Sequence, residues 1–295
     1  MQKRHSREAG ARIAALQAPS HRILAGRADA GLIIVCDHAE NTLPPDYGTL
    51  GLPTEQLERH IAYDIGAKAV TEHLSAILDV PAILTRFSRL LIDPNRGFDD
   101  PTLIMRLSDG AVIPGNRVLS QDERRKRIET WYRPYHRAVD ALIDEAREYH
   151  PHPVLLSIHS FTEVWRGDIR PWQVGVLWDA DDRVAGPLID TLVAEGDLLV
   201  GDNEPYSGKL QGDCMWVHGT QRGLPHALIE VRQDLIREEK GQREWAQRLA
   251  SIMRKIANRR GLAMVLGGEV GANAADPLVA EHCEMTDKTE TSRSA

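Results

Sequence analysis

Two histidines in this 295-residue chain stand where short apolar runs give out. His38 comes after Leu32, Ile33, Ile34 and Val35, and His159 comes after Val154, Leu155, Leu156 and Ile158. Neutral imidazole is the commonest protein ligand for zinc, and a hydrolytic zinc site takes three protein donors, often two His and a carboxylate. The matched placement of the pair favours one shared ion over two separately hydrogen-bonded core histidines. The spacing leaves two acidic partners open. Glu40 is close along the chain, whereas Asp64 lies among Ile61, Ala62 and Ile65, where its burial requires a cation or hydrogen bonds.

A different chemistry gathers at Asp93-Pro94-Asn95-Arg96, where an Asn followed by an Arg offers a planar fork able to hold a carboxylate. Arg86 and Arg89 precede it around the apolar run Leu90-Leu91-Ile92, and the three guanidiniums point to a pocket for a small anion. Glu230 follows Leu228 and Ile229 on another apolar run, where desolvation raises its proton affinity or a cation pairs with it. Beside an activated water it has the properties of a general base that later protonates a leaving amine. Arg232 lies two residues on and Tyr206 lies in the turn-rich stretch Asn203–Gly208, and both join the candidates for contacting substrate.

The elements that must position these groups alternate between strand and helix patterns. Strands are expected at Leu32–Val35, Ala82–Arg86, Ser88–Asp93, Val154–Ser160, Val174–Trp178 and Ala227–Arg232. Helices are expected from Thr54 to Leu78, after the Ser120-x-x-Glu123 capping box, from Asp181 to Ala194, and from Glu239 to Asn258. The basic run Arg124–Arg127 reads as the exposed face of the capped helix. This alternation predicts an α/β three-layer sandwich around a mixed, largely parallel sheet, with the polar clusters at strand ends. One domain is expected over residues 28–265, between a loose segment at 1–27 and a flexible tail at 266–295.

Composition narrows the function classes. A formal charge of −7 disfavours a dedicated nucleic-acid binder. No apolar run approaches the roughly 20 residues that cross a bilayer, and no secretion signal is evident, so a cytoplasmic protein without membrane partners is expected. Three widely spaced cysteines support neither a disulfide framework nor a thiolate zinc cage. The phosphate-cradling and nucleophile-elbow motifs are absent.

Taken together and in order, DHAEN, HIAYDIGA, SRLLIDPNR, SIHSF and EVRQDL resemble the N-formylglutamate amidohydrolase family, over about residues 30–255. That family is similar to zinc carboxypeptidases and the aspartoacylase group. The resemblance implies His38 and His159 as metal ligands. The carboxypeptidase-type H-x-x-E is missing, since Asn41 stands three residues after His38, and the HIAYDIGA motif points to Asp64 as the acidic ligand. It further implies Asn95 and Arg96 as the substrate-carboxylate site and Glu230 as the base, and beside them Arg89 or Arg86 is expected to stabilise the oxyanion. The expected cofactor is one Zn2+ ion. The expected reaction is cleavage of a small anionic N-acyl amino acid, with N-formyl-L-glutamate giving formate and L-glutamate. A deacylase for another N-acyl amino acid or peptide-like amide, or a non-catalytic small-anion-binding protein, is the alternative.

Overall fold

The computed structural model describes residues 19–259 and 261–266. Adjacent aliphatic residues that leave no polar face must be buried on both sides, and in a parallel sheet they are. β2 (Leu32–Cys36) and β6 (Val154–Phe161) are buried along their whole length. They join β1 (His21–Leu24), β3 (Ala82–Thr85), β9 (Val174–Leu177), β10 (Val200–Asp202) and β11 (His226–Arg232) in a seven-stranded sheet of order β1-β3-β2-β6-β11-β9-β10. β2 runs parallel to β3 and β6, β6 to β11, and β9 to β10. β1 pairs antiparallel with β3, and β9 with β11, which makes the sheet mixed. Two ribbons, β4 (Leu107–Ser108) with β5 (Ala111–Val112) and β7 (Val164–Trp165) with β8 (Asp168–Ile169), stand apart from it.

Alternation along the strands divides the core. Ile34, Leu156 and Ile229 meet α2 (Ala67–Leu78), α6 (Ala185–Ala194) and α8 (Glu239–Ile256) on one face. Ile33, Val35, Leu155 and Leu228 meet Tyr135, Val139 and Leu142 of α5 (Arg133–Arg147) on the other. Helices on both faces of the sheet make the three-layer sandwich. Among the described residues no helix is long and apolar enough to cross a membrane.

Several local expectations give way. Ser88–Asp93 forms turns, not a strand. Its Leu90, Leu91 and Ile92 are instead buried in two satellite clusters, with Phe87, Leu103, Ile128, Leu50 and Ile61 among their members. Burial of an apolar run does not require a sheet when neighbouring loops supply the cover. The turn's backbone is satisfied by buried polar side chains. Asn116, from the short helix α3 (Pro114–Arg117), donates to Leu90 O at 2.8 Å, and Arg127 donates to Leu91 O at 2.9 Å. Arg127, at the end of α4 (Gln121–Arg127), is therefore no surface charge and is 2% exposed. The capping box does open α4, with Glu123 N donating to Ser120 Oγ at 3.1 Å.

The helix expected from Thr54 to Leu78 is two pieces, α1 (Thr54–Leu57) and α2, separated by turns at residues 58–66. Gly66 explains the break. It adopts φ +83°, and a Cβ there would lie 2.1 Å from Ile236 O. Only glycine combines that left-handed backbone with so close an approach. Among the elements the sequence did not announce are β1, β10 and the five-residue α7 (Cys214–His218). β1 falls within the segment expected to be loose. The tail expected from residue 266 lies, past that residue, outside the described residues.

Candidate active site

Sheet register assembles the first part of the site. β6 and β11 pair Glu230 with His159, and β2 pairs Val35 with Ser157, so Asp37 follows two residues on at the level of His159. Side chains of paired residues in parallel strands share a face. Asp37, His159 and Glu230 therefore project from three neighbouring strands toward the α5 side of the sheet. His38 lies one residue beyond Asp37, where β2 has ended. Thr85 at the end of β3 fastens that turn, donating to Asp37 O at 2.9 Å and accepting from Ala39 N at 3.0 Å.

The turn at residues 58–66 delivers Asp64. Its N–H donates to His38 O at 3.0 Å, and its Oδ2 lies 2.7 Å from His159 Nδ1 and 3.3 Å from His38 Nδ1. The two imidazoles stand nearly perpendicular, with centroids 4.9 Å apart. Two nitrogens and one carboxylate oxygen thus converge, and all three residues are buried. Glu40 turns elsewhere, accepting from Lys68 Nζ at 2.7 Å.

Each imidazole is oriented by a second carboxylate on its far nitrogen. His38 Nε2 meets Asp93 Oδ1 at 2.7 Å, and His159 Nε2 meets Asp37 Oδ2 at 3.3 Å. Carboxylates behind metal-ligating histidines commonly fix the ring and raise its basicity, so this donor set fits a zinc-type ion. Both supporting aspartates are themselves held. Asp37 accepts from Tyr135 Oη at 2.7 Å, and Asp93 accepts from Arg89 Nη2 at 2.7 Å and Asn95 N at 2.9 Å. Asp37 and Asp93 were legible in the DHAEN and DPNR motifs, but nothing in the spacing assigned them this supporting place.

The electrostatics follow the contacts. Burial alone would raise Asp37, but the hydrogen bond and charge of His159 bring its carboxyl down to about 2. Burial of Asp64 and Asp93 is likewise outweighed, by His38 and His159 for the first and chiefly by Arg89 for the second, and both stay well below the ordinary range. His159 is lowered by burial yet rises to about 10, through its bonds to Asp37 and Asp64. Glu230 moves the other way. Burial, reinforced by the charge of Asp64, pushes it up to about 8 against the pull of His159, Arg89 and Arg170. Its Oε2 is buried and has no hydrogen-bond partner among the described residues. A carboxyl so placed can take up a proton near neutral pH and release it to a neighbour.

The remaining candidates divide. Arg89 is committed to Asp93 through Nε and Nη2, and its Nη1 lies 3.6 Å from Asp64 Oδ1. Asn95 accepts from Cys214 N at 2.9 Å, and Arg96 donates from Nη1 to Asn95 O at 2.7 Å. Tyr206 Oη accepts from Arg170 Nη1 at 2.9 Å. Arg86 is exposed, and its backbone N–H bonds Ser20 O beside the edge strand β1. Arg232 faces Asp234 at 2.8 Å and the carbonyls of residues 170–172 at 3.3 Å, so it braces that segment. Arg170 went unnoticed in the sequence. It is 8% exposed, stacked against Trp165 and Tyr206, and close enough to Glu230 to shift it. Its only sequence signal was an Arg-Pro step after a polar turn.

Comparison with known proteins bears on this arrangement. No curated protein matches the chain. The structure of gene product Atu2144 from Agrobacterium tumefaciens is similar at 35% identity and a TM-score of 0.74, with 82% of this chain and 96% of that one covered. The N-formylglutamate amidohydrolase from Ralstonia eutropha JMP134 shares the fold at 19% identity and a TM-score of 0.63, over 80% of this chain and 99% of that one. The family model for N-formylglutamate amidohydrolase matches residues 30–237, which span the ends of β2, β6 and β11 and the turns between them. The chain belongs to the N-formylglutamate amidohydrolase family.

Proposed function

We propose that this chain is a zinc-dependent amidohydrolase that cleaves N-formyl-L-glutamate, or a closely similar small N-acyl amino acid, to formate and L-glutamate. Family membership supports the amide-hydrolysing class. The observation that carries the reading is the convergence of His38 Nδ1, His159 Nδ1 and Asp64 Oδ2, with Glu230 paired in register to His159 and its buried Oε2 without a hydrogen-bond partner among the described residues. Those three residues would hold the ion. When bound, it supplies Lewis-acid polarisation of the amide carbonyl and acidifies water.

The protein's own groups do the rest. Asp93 and Asp37 hold the two imidazoles in the orientation that leaves both Nδ1 atoms facing Asp64. Glu230 Oε2 takes a proton from the attacking water and passes it to the departing amine nitrogen. Asn95 and Arg96 receive one substrate carboxylate, and the buried fork of Arg170 is offered to a second, as a glutamate-like substrate requires. The Nη1 edge of Arg89, the part not bonded to Asp93, stabilises charge developing on the carbonyl oxygen.

Glu230→Gln tests the central assignment. The variant should keep its metal content and lose about 10²–10⁴-fold in turnover, read as release of free amine. Hydrolysis at close to the parent rate would remove Glu230 from this role. A series of N-acyl amino acids should show preference for an acidic side chain, and Arg170→Met should raise KM most for those substrates.

A further inference from the structure

A second set of metal-ligating side chains lies beneath the Asp93–Arg96 turn. His136 of α5 and Cys214 and His218 of α7 bring two ring nitrogens and one sulfur together, and all three residues are buried. Cys214 and His218 are four residues apart, one turn of α7, and so share a helix face. The rings of His136 and His218 stack with centroids 5.1 Å apart and an interplanar angle of 17°.

Hydrogen-bond accounting shows what this cluster lacks. His136 Nε2 lies 3.0 Å from Pro94 O, and a carbonyl can only accept, so that nitrogen carries the hydrogen. His218 Nδ1 lies 3.1 Å from Asp140 Oδ1, a carboxylate that also accepts from Arg222 at 2.7 Å. A guanidinium can only donate, so the Asp140 oxygen it meets is an acceptor toward His218 as well. In neutral rings the two inner nitrogens, His136 Nδ1 and His218 Nε2, then present lone pairs to each other at 2.8 Å. Two lone pairs cannot face at that distance without a cation between them. One candidate is a proton, which makes one ring an imidazolium. The other is a metal ion, and Cys214 beside the pair argues for it. Oxygen acceptors behind both rings are the usual support of metal-bound histidines.

We propose that His136, His218 and Cys214 form a second site for a late first-row divalent ion such as zinc, which locks the substrate-side turn to α5 and α7. Two imidazoles and a thiolate are a donor set that zinc accepts, at about 2.0–2.1 Å to nitrogen and about 2.3 Å to sulfur. Binding displaces the shared proton and the thiol proton, and parts the two nitrogens by about half an ångström to meet those bond lengths. The consequence of occupancy reaches the turn directly, because His136 holds Pro94 O and the backbone of Cys214 holds Asn95 Oδ1. The proposal stands apart from the His38–Asp64–His159 reading, since that group contains no sulfur.

Cobalt(II) added to the chelator-treated full-length chain tests it. A thiolate-to-cobalt charge-transfer band should rise to one equivalent and persist in the double variant C36S/C283S, where Cys214 is the last of the three cysteines. It should vanish in C214S, and it should survive H38A/H159A, which removes the other site. Absence of the band in the parent chain would overturn the proposal and leave a proton between the rings. So would loss of the band in C36S/C283S, a result that holds even where C214S fails to fold.

Discussion

Glu230 illustrates how a reactive side chain is set at odds with the stability of the fold around it. Its carboxyl titrates above the ordinary carboxylate value because burial disfavours the charge. A folded-state pKa above the unfolded one means that its contribution to stability is present below about pH 4.5 and is lost as pH rises towards about 8. In chelator-treated protein, Glu230→Gln should therefore raise the melting temperature at pH 8 and leave it unchanged near pH 4. The same residue should govern an acid limb in kcat/KM, since protonation removes the proposed base. Activity should fall on acidification from above the ordinary Glu value of about 4.3, and a profile flat down to that value would argue against it. The sequence made Glu230, His38 and His159 legible because each stands out against an apolar run. It hid Asp37 and Asp93 because a supporting carboxylate is defined by what lies across space from it. Arg89 and Arg232 were visible as cations, but their commitment to nearby aspartates was not.

Turns, more than helices and strands, separate expectation from structure at the level of elements. The helix expected across Thr54–Leu78 is interrupted at the place where Asp64 must leave a regular helix to reach both imidazoles. Periodicity continued through the break because Ile61 and Ala62 are still buried there, in a loop cluster. Gly66 carries the change of direction, and Gly66→Ala should cost about 2–4 kcal/mol, since it adds left-handed strain and a backbone clash. Urea unfolding should show a lower midpoint with an unchanged slope. Turnover should fall as well, because Asp64 sits two residues before the substitution. The buried strands were legible from their aliphatic runs. β1 and β10 are short sheet-edge strands, and α7 spans five residues, too few for a period to emerge.

At the scale of the molecule, the residues proposed to bind the ion come from a strand end, a turn and a second strand, and those pieces meet only in the folded chain. An ion that binds the native state alone stabilises it by about 4 kcal/mol at a thousandfold excess over its dissociation constant. For a domain of this size that corresponds to a melting shift on the order of 10 °C. Chelation should lower the melting temperature by about that much, zinc should restore it, and His159→Asn should respond less. Identical melting with and without chelator would count against metal binding at either cluster. Fold class was legible from the alternation of elements, whereas the order of strands in the sheet was not, because it depends on crossovers the chain does not advertise.

The pairing of His159 with Glu230, and of β2 with β6 before them, has a consequence for how this protein comes to life. The three rows belong to stretches of chain separated by more than a hundred residues and then by about seventy, and β11 arrives last from the ribosome. No earlier fragment contains Glu230, the proposed base. On the proposed role of Glu230, catalytic competence should therefore appear late, and a nascent or truncated chain lacking β11 should be inert however well its first half has folded.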